Sequence, residues 1–167
     1  EYLRAYHEAY SLDYSVVRLF NIYGEEQRDD FVISKFVRAV CQNKPPVIYG
    51  DGQQVRSFCY VSDAAKGIVN SLFCKEANGR VFNIGNDSEP ISVKKLAEKT
   101  INLIGKNGIS PQYVVMENSD RTKKREVYNR IPTIEKARKV LQYSPKVSLD
   151  EGITNVINYW NRNELKV

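Results

Sequence analysis

Ser15-Val16-Val17-Arg18-Leu19-Phe20-Asn21-Ile22-Tyr23-Gly24 is a short apolar run with adjacent valines, followed by an amide and, three residues on, a glycine. Adjacent β-branched residues suit a pleated surface, so Ser15–Phe20 reads as a buried strand. Outward from it, helices and short strands alternate. Glu1–Ser11 reads as a helix with Leu3, Tyr6 and Tyr10 near one face. Asp29 or Asp30 is placed to cap a helix carrying Val32, Ile33, Phe36, Val37 and Val40, which Pro45 and Pro46 stop. Pro46–Tyr49 reads as a strand, Gly50-Asp51-Gly52 as a hairpin turn and Val55–Val61 as the next strand. Ser62 or Asp63 is placed to cap a helix expected to bury Ala65, Ile68, Val69 and Leu72. Val81–Ile84 is a further strand, Ser92 to Gly105 brackets a helix, Tyr113–Met116 is a strand candidate and Thr133–Leu141 a short helix. Ser148 and Glu151 form a capping box ahead of Leu149, Ile153, Val156, Ile157 and Trp160 at helical spacing. The alternation predicts an α/β fold.

The 167 residues make about one domain, with 42% apolar and 27% charged residues, which excludes disordered, collagenous and coiled-coil classes. No apolar run approaches the roughly 20 residues of a membrane span. Cys41, Cys59 and Cys74 are odd in number and never spaced Cys-x-x-Cys, so neither a disulfide framework nor a cysteine zinc site is expected, and the expected location is cytoplasmic. His7 is the single histidine, which removes multi-histidine metal sites.

Net charge is +5, and its excess is local. Arg121, Lys123, Lys124, Arg125 and Arg130 lie between positions 121 and 130 with Glu126 the one acid among them, and outside that segment bases and acids nearly balance. Such a cluster suits a phosphate chain; the alternative is a solvated basic loop.

Phosphate cradles of known kinds are missing. Gly50-x-Gly52 has Val55 where a Gly-x-Gly-x-x-Gly fingerprint needs its third glycine, and it lies between two strands, whereas the fingerprint joins a strand to a helix. No Gly-x-x-x-x-Gly-Lys-Ser/Thr loop and no Gly-x-Ser-x-Gly elbow occurs. No catalytic or metal-binding set emerges from the residues themselves. What remains is polar groups at strand ends: Asn21 immediately after a strand, and Arg56 beyond a tight turn, where a guanidinium can fork onto phosphate oxygens or form a surface ion pair.

These stretches carry a resemblance. Arg18-Leu19-Phe20-Asn21-Ile22-Tyr23-Gly24, Ile48-Tyr49-Gly50-Asp51-Gly52 with Arg56-Ser57-Phe58-Cys59-Tyr60-Val61-Ser62-Asp63, Val81-Phe82-Asn83-Ile84-Gly85, and Lys136-Ala137 through Gly152 and Trp160 run in one order along the whole chain. In that order and spacing they resemble the C-terminal half of the extended short-chain dehydrogenases/reductases, specifically the NAD-dependent nucleotide-sugar epimerases and dehydratases. The resemblance implies a remnant of a parallel Rossmann-type sheet (1–24 and about 80–86) plus a small mixed α/β substrate-binding domain (about 25–79 and 87–167).

It also implies roles. Asn21 matches the asparagine that contacts the substrate near its diphosphate. Ile48 and Tyr49 match the strand lying against the nucleotide base, partly through backbone groups. Arg56 matches the arginine that holds the diphosphate. Arg130, in Arg-Ile-Pro-Thr-Ile-x-Lys-Ala, resembles a second such arginine of the UDP-glucuronate decarboxylase branch. Lys35, where several members carry asparagine, is a third cation.

The family's glycine-rich NAD loop and its Tyr-x-x-x-Lys pair fall ahead of Glu1, so no catalytic or cofactor-binding residue is expected in this chain. The implied partner is a nucleoside-diphosphate sugar, with neither nucleic acid nor membrane. NAD serves the full-length enzyme, a homodimer by resemblance, and no tight NAD binding is expected of this chain alone. In such enzymes NAD oxidises a sugar hydroxyl to a ketone, which opens epimerisation, elimination or decarboxylation. The alternative function, from another class, is a stand-alone basic module that binds nucleic acid or a protein partner.

Overall fold

Two parallel strands that are distant in the chain anchor the fold: β1 (Ser15–Leu19) and β6 (Arg80–Ile84), in register from Ser15 opposite Arg80 to Leu19 opposite Ile84. The structure, a computed structural model, describes residues 1–115 and 127–164; Arg121, Lys123, Lys124 and Arg125 of the basic cluster lie outside the described residues. Ahead of β1 runs α1 (Tyr2–Tyr10), with no buried residue. Between β1 and β6 come β2 (Ile22–Tyr23), α2 (Val32–Cys41), β3 (Val47–Tyr49), β4 (Val55–Arg56), β5 (Cys59–Tyr60) and α3 (Val61–Phe73). After β6 follow β7 (Ile91–Ser92), α4 (Val93–Ile104), β8 (Gln112–Val114), β9 (Asn129–Arg130), α5 (Glu135–Leu141) and α6 (Leu149–Glu164). The architecture is α/β, as the alternating pattern predicts.

Side chains divide between two cores because alternate residues of a strand face opposite ways. Phe58 and Tyr60 join Tyr23, Ile33, Phe36, Val37 and Ile48 in a core closed by α2, α4 and α6. Cys59, between them, joins Phe82, Ile84, Ala137 and Tyr143 in a second core. Aromatic edges meet in the first: Tyr23 and Tyr60 have centroids 5.6 Å apart at 69°. Gly152 admits Tyr23 there, since a Cβ on Gly152 would lie 2.0 Å from the Tyr23 hydroxyl.

Several sequence expectations hold. Ser92 Oγ accepts from Lys95 N, Gly105 closes α4 with φ of +77°, and Ser148 Oγ accepts from Glu151 N at 3.2 Å. Others do not. The turn 50–52 joins no hairpin: β3 pairs with β8, while β4 sits between β7 and β9. The expected strand Val55–Val61 is broken into β4 and β5, and Val61 already belongs to α3. β1 is only half-buried, with Arg18 and Leu19 exposed. Asp29 and Asp30 do not cap α2; they pair with Arg38 and Arg28. Asp63 is buried and no cap: one carboxylate oxygen accepts from Lys146 N and Val147 N, both at 2.8 Å, tying α3 to the segment before α6. The largest reversal is in α3, whose buried face is Asp63, Ala64, Gly67 and Ser71, leaving Ala65, Ile68, Val69 and Leu72 exposed. Small residues win that face because α3 packs closely on β1, β5, β6 and α5.

A candidate functional site at the carboxyl ends of β1 and β6

Open α/β sheets gather ligands beyond the carboxyl ends of their strands. At that end of β1, Phe20 N still donates to Ile84 O at 2.9 Å, and Asn21 then turns the chain away. Its φ is +43°, a left-handed conformation that asparagine tolerates better than most residues. Asn21 fastens the chain at both of its ends. Its Nδ2 donates to Ser57 O at 2.8 Å, and its own carbonyl accepts from Cys59 N at 3.1 Å. The peptide that follows Arg56 is therefore held to the end of β1.

Arg56 lies on β4, the middle strand of a small sheet ordered β7-β4-β9. β9 runs parallel to it, and in that register Arg56 pairs with Arg130. Neighbouring strands lie about 4.8 Å apart, and paired residues leave the same face of a sheet. Two positive stems thus rise side by side. Arg56 Nη1 donates to Val55 O and Tyr128 O, each at 2.9 Å, which fixes the start of its guanidinium along the strands; Arg130 is exposed.

The segment after Arg130 returns to β1 and β6. Asn83 Nδ2 donates to Thr133 O at 3.1 Å. Gly85 allows the approach, since a Cβ there would stand 3.0 Å from both Phe20 Cβ and Pro132 Cγ. Asn21, Arg56 and Arg130, remote in the chain, therefore converge on one end of the β1–β6 pair.

The remaining expected residues are placed differently. Ile48 is wholly buried in the first core, so only its backbone is available to a ligand, and that backbone is paired with β8. Tyr49, next to it, is 41% exposed. Lys35 stands on the exposed side of α2, and its charge acts on Asp30, whose carboxyl is held below its ordinary range chiefly by the hydrogen bond from Arg28. Sequence reasoning missed Ser57, 1% exposed, with an Oγ that finds no hydrogen-bond partner. A serine between two short strands carries no such signal.

Two protonation equilibria near the site are displaced. Burial pushes the Cys59 thiol up to about 11, and burial together with the Glu25 hydrogen bond pushes the Tyr60 phenol up to about 12. A separate cavity of about 350 Å³ is lined by Glu25, Glu26, Asp29, Ser34, Tyr159 and Trp160 among others. Its carboxylates make it hostile to phosphates. No helix of the described residues is long and apolar enough to cross a membrane.

Comparison with known proteins identifies the family. The family model for GDP-mannose 4,6 dehydratase matches residues 1–156. A UDP-glucuronate 4-epimerase of Thermodesulfobacterium geofontis is 35% identical over 162 residues, covering 97% of this chain and 47% of that protein. The solved UDP-glucose 4-epimerase of Thermotoga maritima, in complex with UDP-glucose, superposes with a TM-score of 0.86 at 28% identity, over 98% of this chain and 50% of the other. The UDP-glucuronic acid 4-epimerase of Bacillus cereus, solved with UDP-glucuronic acid and NAD, gives 0.81 at 29% identity over 96% and 49%. The chain spans about half the length of the curated relatives it matches. With parallel strands, a strand-end asparagine and this family match, the chain belongs to the GDP-mannose 4,6-dehydratase family, the NAD-dependent nucleotide-sugar epimerases and dehydratases of the short-chain dehydrogenase/reductase type.

Proposed function

We propose that this chain holds the nucleoside diphosphate of a nucleotide sugar, as the substrate-binding portion of an NAD-dependent epimerase, dehydratase or decarboxylase. The observation that carries this reading is the pairing of Arg56 with Arg130 on one sheet face, at the strand ends marked by Asn21. Guanidinium forks match phosphate oxygens, and two of them on one sheet face can grip a diphosphate from the same side. Each charge-assisted bond contributes about 1.5–3 kcal/mol. Tyr49 offers an exposed ring on the strand preceding the turn to β4, suited to a base, while Ile48 beside it anchors that strand in the core. Lys35 serves as an outlying third cation. In this reading 1–24 and about 80–86 belong to the nucleotide-binding sheet, and about 25–79 and 87–167 form the substrate domain.

Gly52 opens no room for a dinucleotide's phosphates. A Cβ on Gly52 would meet Ile48 Cγ2 at 2.9 Å and Lys94 N at 3.3 Å, so the space this glycine opens is filled by the protein's own chain. The redox step is accordingly assigned to no residue here, and the chain alone is expected to bind without turning substrate over.

Calorimetric titration with UDP, dTDP, GDP and CDP, and with their sugars, tests the reading. The expected result is saturable binding of at least one diphosphate, weakened by rising salt. A folded sample that takes up none of them refutes it.

A further inference from the structure

We infer that Asn21 is a positioning residue: its amide sets the strand that carries Arg56, and through it the diphosphate grip. The inference rests on the proposed binding of a nucleoside diphosphate and assigns Asn21 a different task from direct contact with substrate. A carbonyl oxygen can only accept, so the Asn21 nitrogen must face Ser57 O, and one of its two hydrogens is committed there at 2.8 Å. Ser57 is the residue immediately after Arg56, and its side chain is buried without a hydrogen-bond partner. The Asn21 amide thus holds the Ser57 carbonyl, while the Asn21 carbonyl holds Cys59 two residues on.

The backbone points the same way. A left-handed φ of +43° is needed for the chain to pass from β1 into β2 while the side chain reaches back to Ser57. Glycine also satisfies that backbone, so a conformational role alone makes Asn21→Gly silent. The positioning role does not.

The test uses Asn21→Gly, Arg56→Ala and the double variant of the full chain, with UDP as the probe. Asn21→Gly is expected to weaken UDP binding about five- to tenfold, the scale of one hydrogen bond, and to add almost nothing in the Arg56→Ala background. Without ligand, amide hydrogen exchange over residues 55–59 is expected to quicken in Asn21→Gly while that over 93–104 stays unchanged. Asn21→Asp, which cannot donate to Ser57 O, is expected to behave at least as badly as Asn21→Gly.

If the wild-type chain binds UDP but Asn21→Gly changes neither affinity nor exchange, the positioning role is wrong and the binding reading stands. If the losses from Asn21→Gly and Arg56→Ala multiply, Asn21 acts independently of Arg56, which also overturns the inference. If the wild-type chain binds no diphosphate, the binding reading fails and takes this role with it.

Discussion

Arg56 and Arg130 stand opposite each other on adjacent parallel strands, although β9 and β4 are separated by α3, β6 and α4 in the chain. The shared register makes Arg130 a neighbour of Arg56 in the fold and, in the proposed reading, its partner in holding a diphosphate.

Arg130→Gln separates binding from stability. Changing this exposed side chain is expected to leave the urea midpoint nearly unchanged, followed through the single tryptophan, Trp160. The same substitution is expected to weaken UDP about ten- to a hundredfold, the scale of a charge-assisted hydrogen bond. A lower midpoint with unaltered affinity means that Arg130 is a structural residue.

The extent to which this arrangement can be read from the sequence differs by element. Helices α2, α4 and α6 were legible because their apolar residues recur every three or four positions and meet one another in the first core. The strands flanking Arg56 were not. β7 and β9 are two residues each, too short for any periodicity, and β9 pairs with β4 only through tertiary contact. The resemblance named Asn21, Arg56 and Arg130, but no local rule shows that the first fastens the second or that the last two adjoin. Lys35 is legible as an exposed residue of the amphipathic helix α2, but no local rule shows what its charge serves.

Helix α3 misled the pattern for a physical reason, and the reason is testable. Hydrophobicity marks Ile68, Val69 and Leu72 as its inner face, whereas the distance to the sheet admits only small side chains. A Cβ on Gly67 would lie 2.9 Å from Ile84 Cδ1 and 3.0 Å from Tyr143 Cε2, both in a filled core. Gly67→Val is therefore expected to destabilise by about 1–3 kcal/mol through overpacking. Leu72→Ser and Phe73→Ser, at sites 73% and 78% exposed, are expected to cost about 0.5 kcal/mol or less. Urea unfolding of the three variants checks the order, and a larger loss at Leu72 than at Gly67 contradicts the packing described.

Cys59 ties stability to alkaline pH. Burial disfavours the thiolate and raises the folded thiol from 9.0 to about 11, with Sγ 3.3 Å from the Tyr143 hydroxyl. The unfolded chain releases this proton near pH 9 while the folded chain keeps it until about 11. The contribution is thus fully present below pH 9 and is lost as pH climbs through 11, a fall of about 2–3 kcal/mol for two pH units of displacement. Tyr60, raised from 10.0 to about 12, extends the decline in the same direction. Cys59→Ala removes the first step, and the methyl side chain replaces the thiol without a group that ionises. Its neutral-pH stability is expected to drop by about 1 kcal/mol for the lost packing, but its slope between pH 9 and 11 is expected to be shallower than that of the wild type. Urea midpoints measured across that range for both proteins decide the matter: parallel slopes rule out the buried thiol as the group responsible.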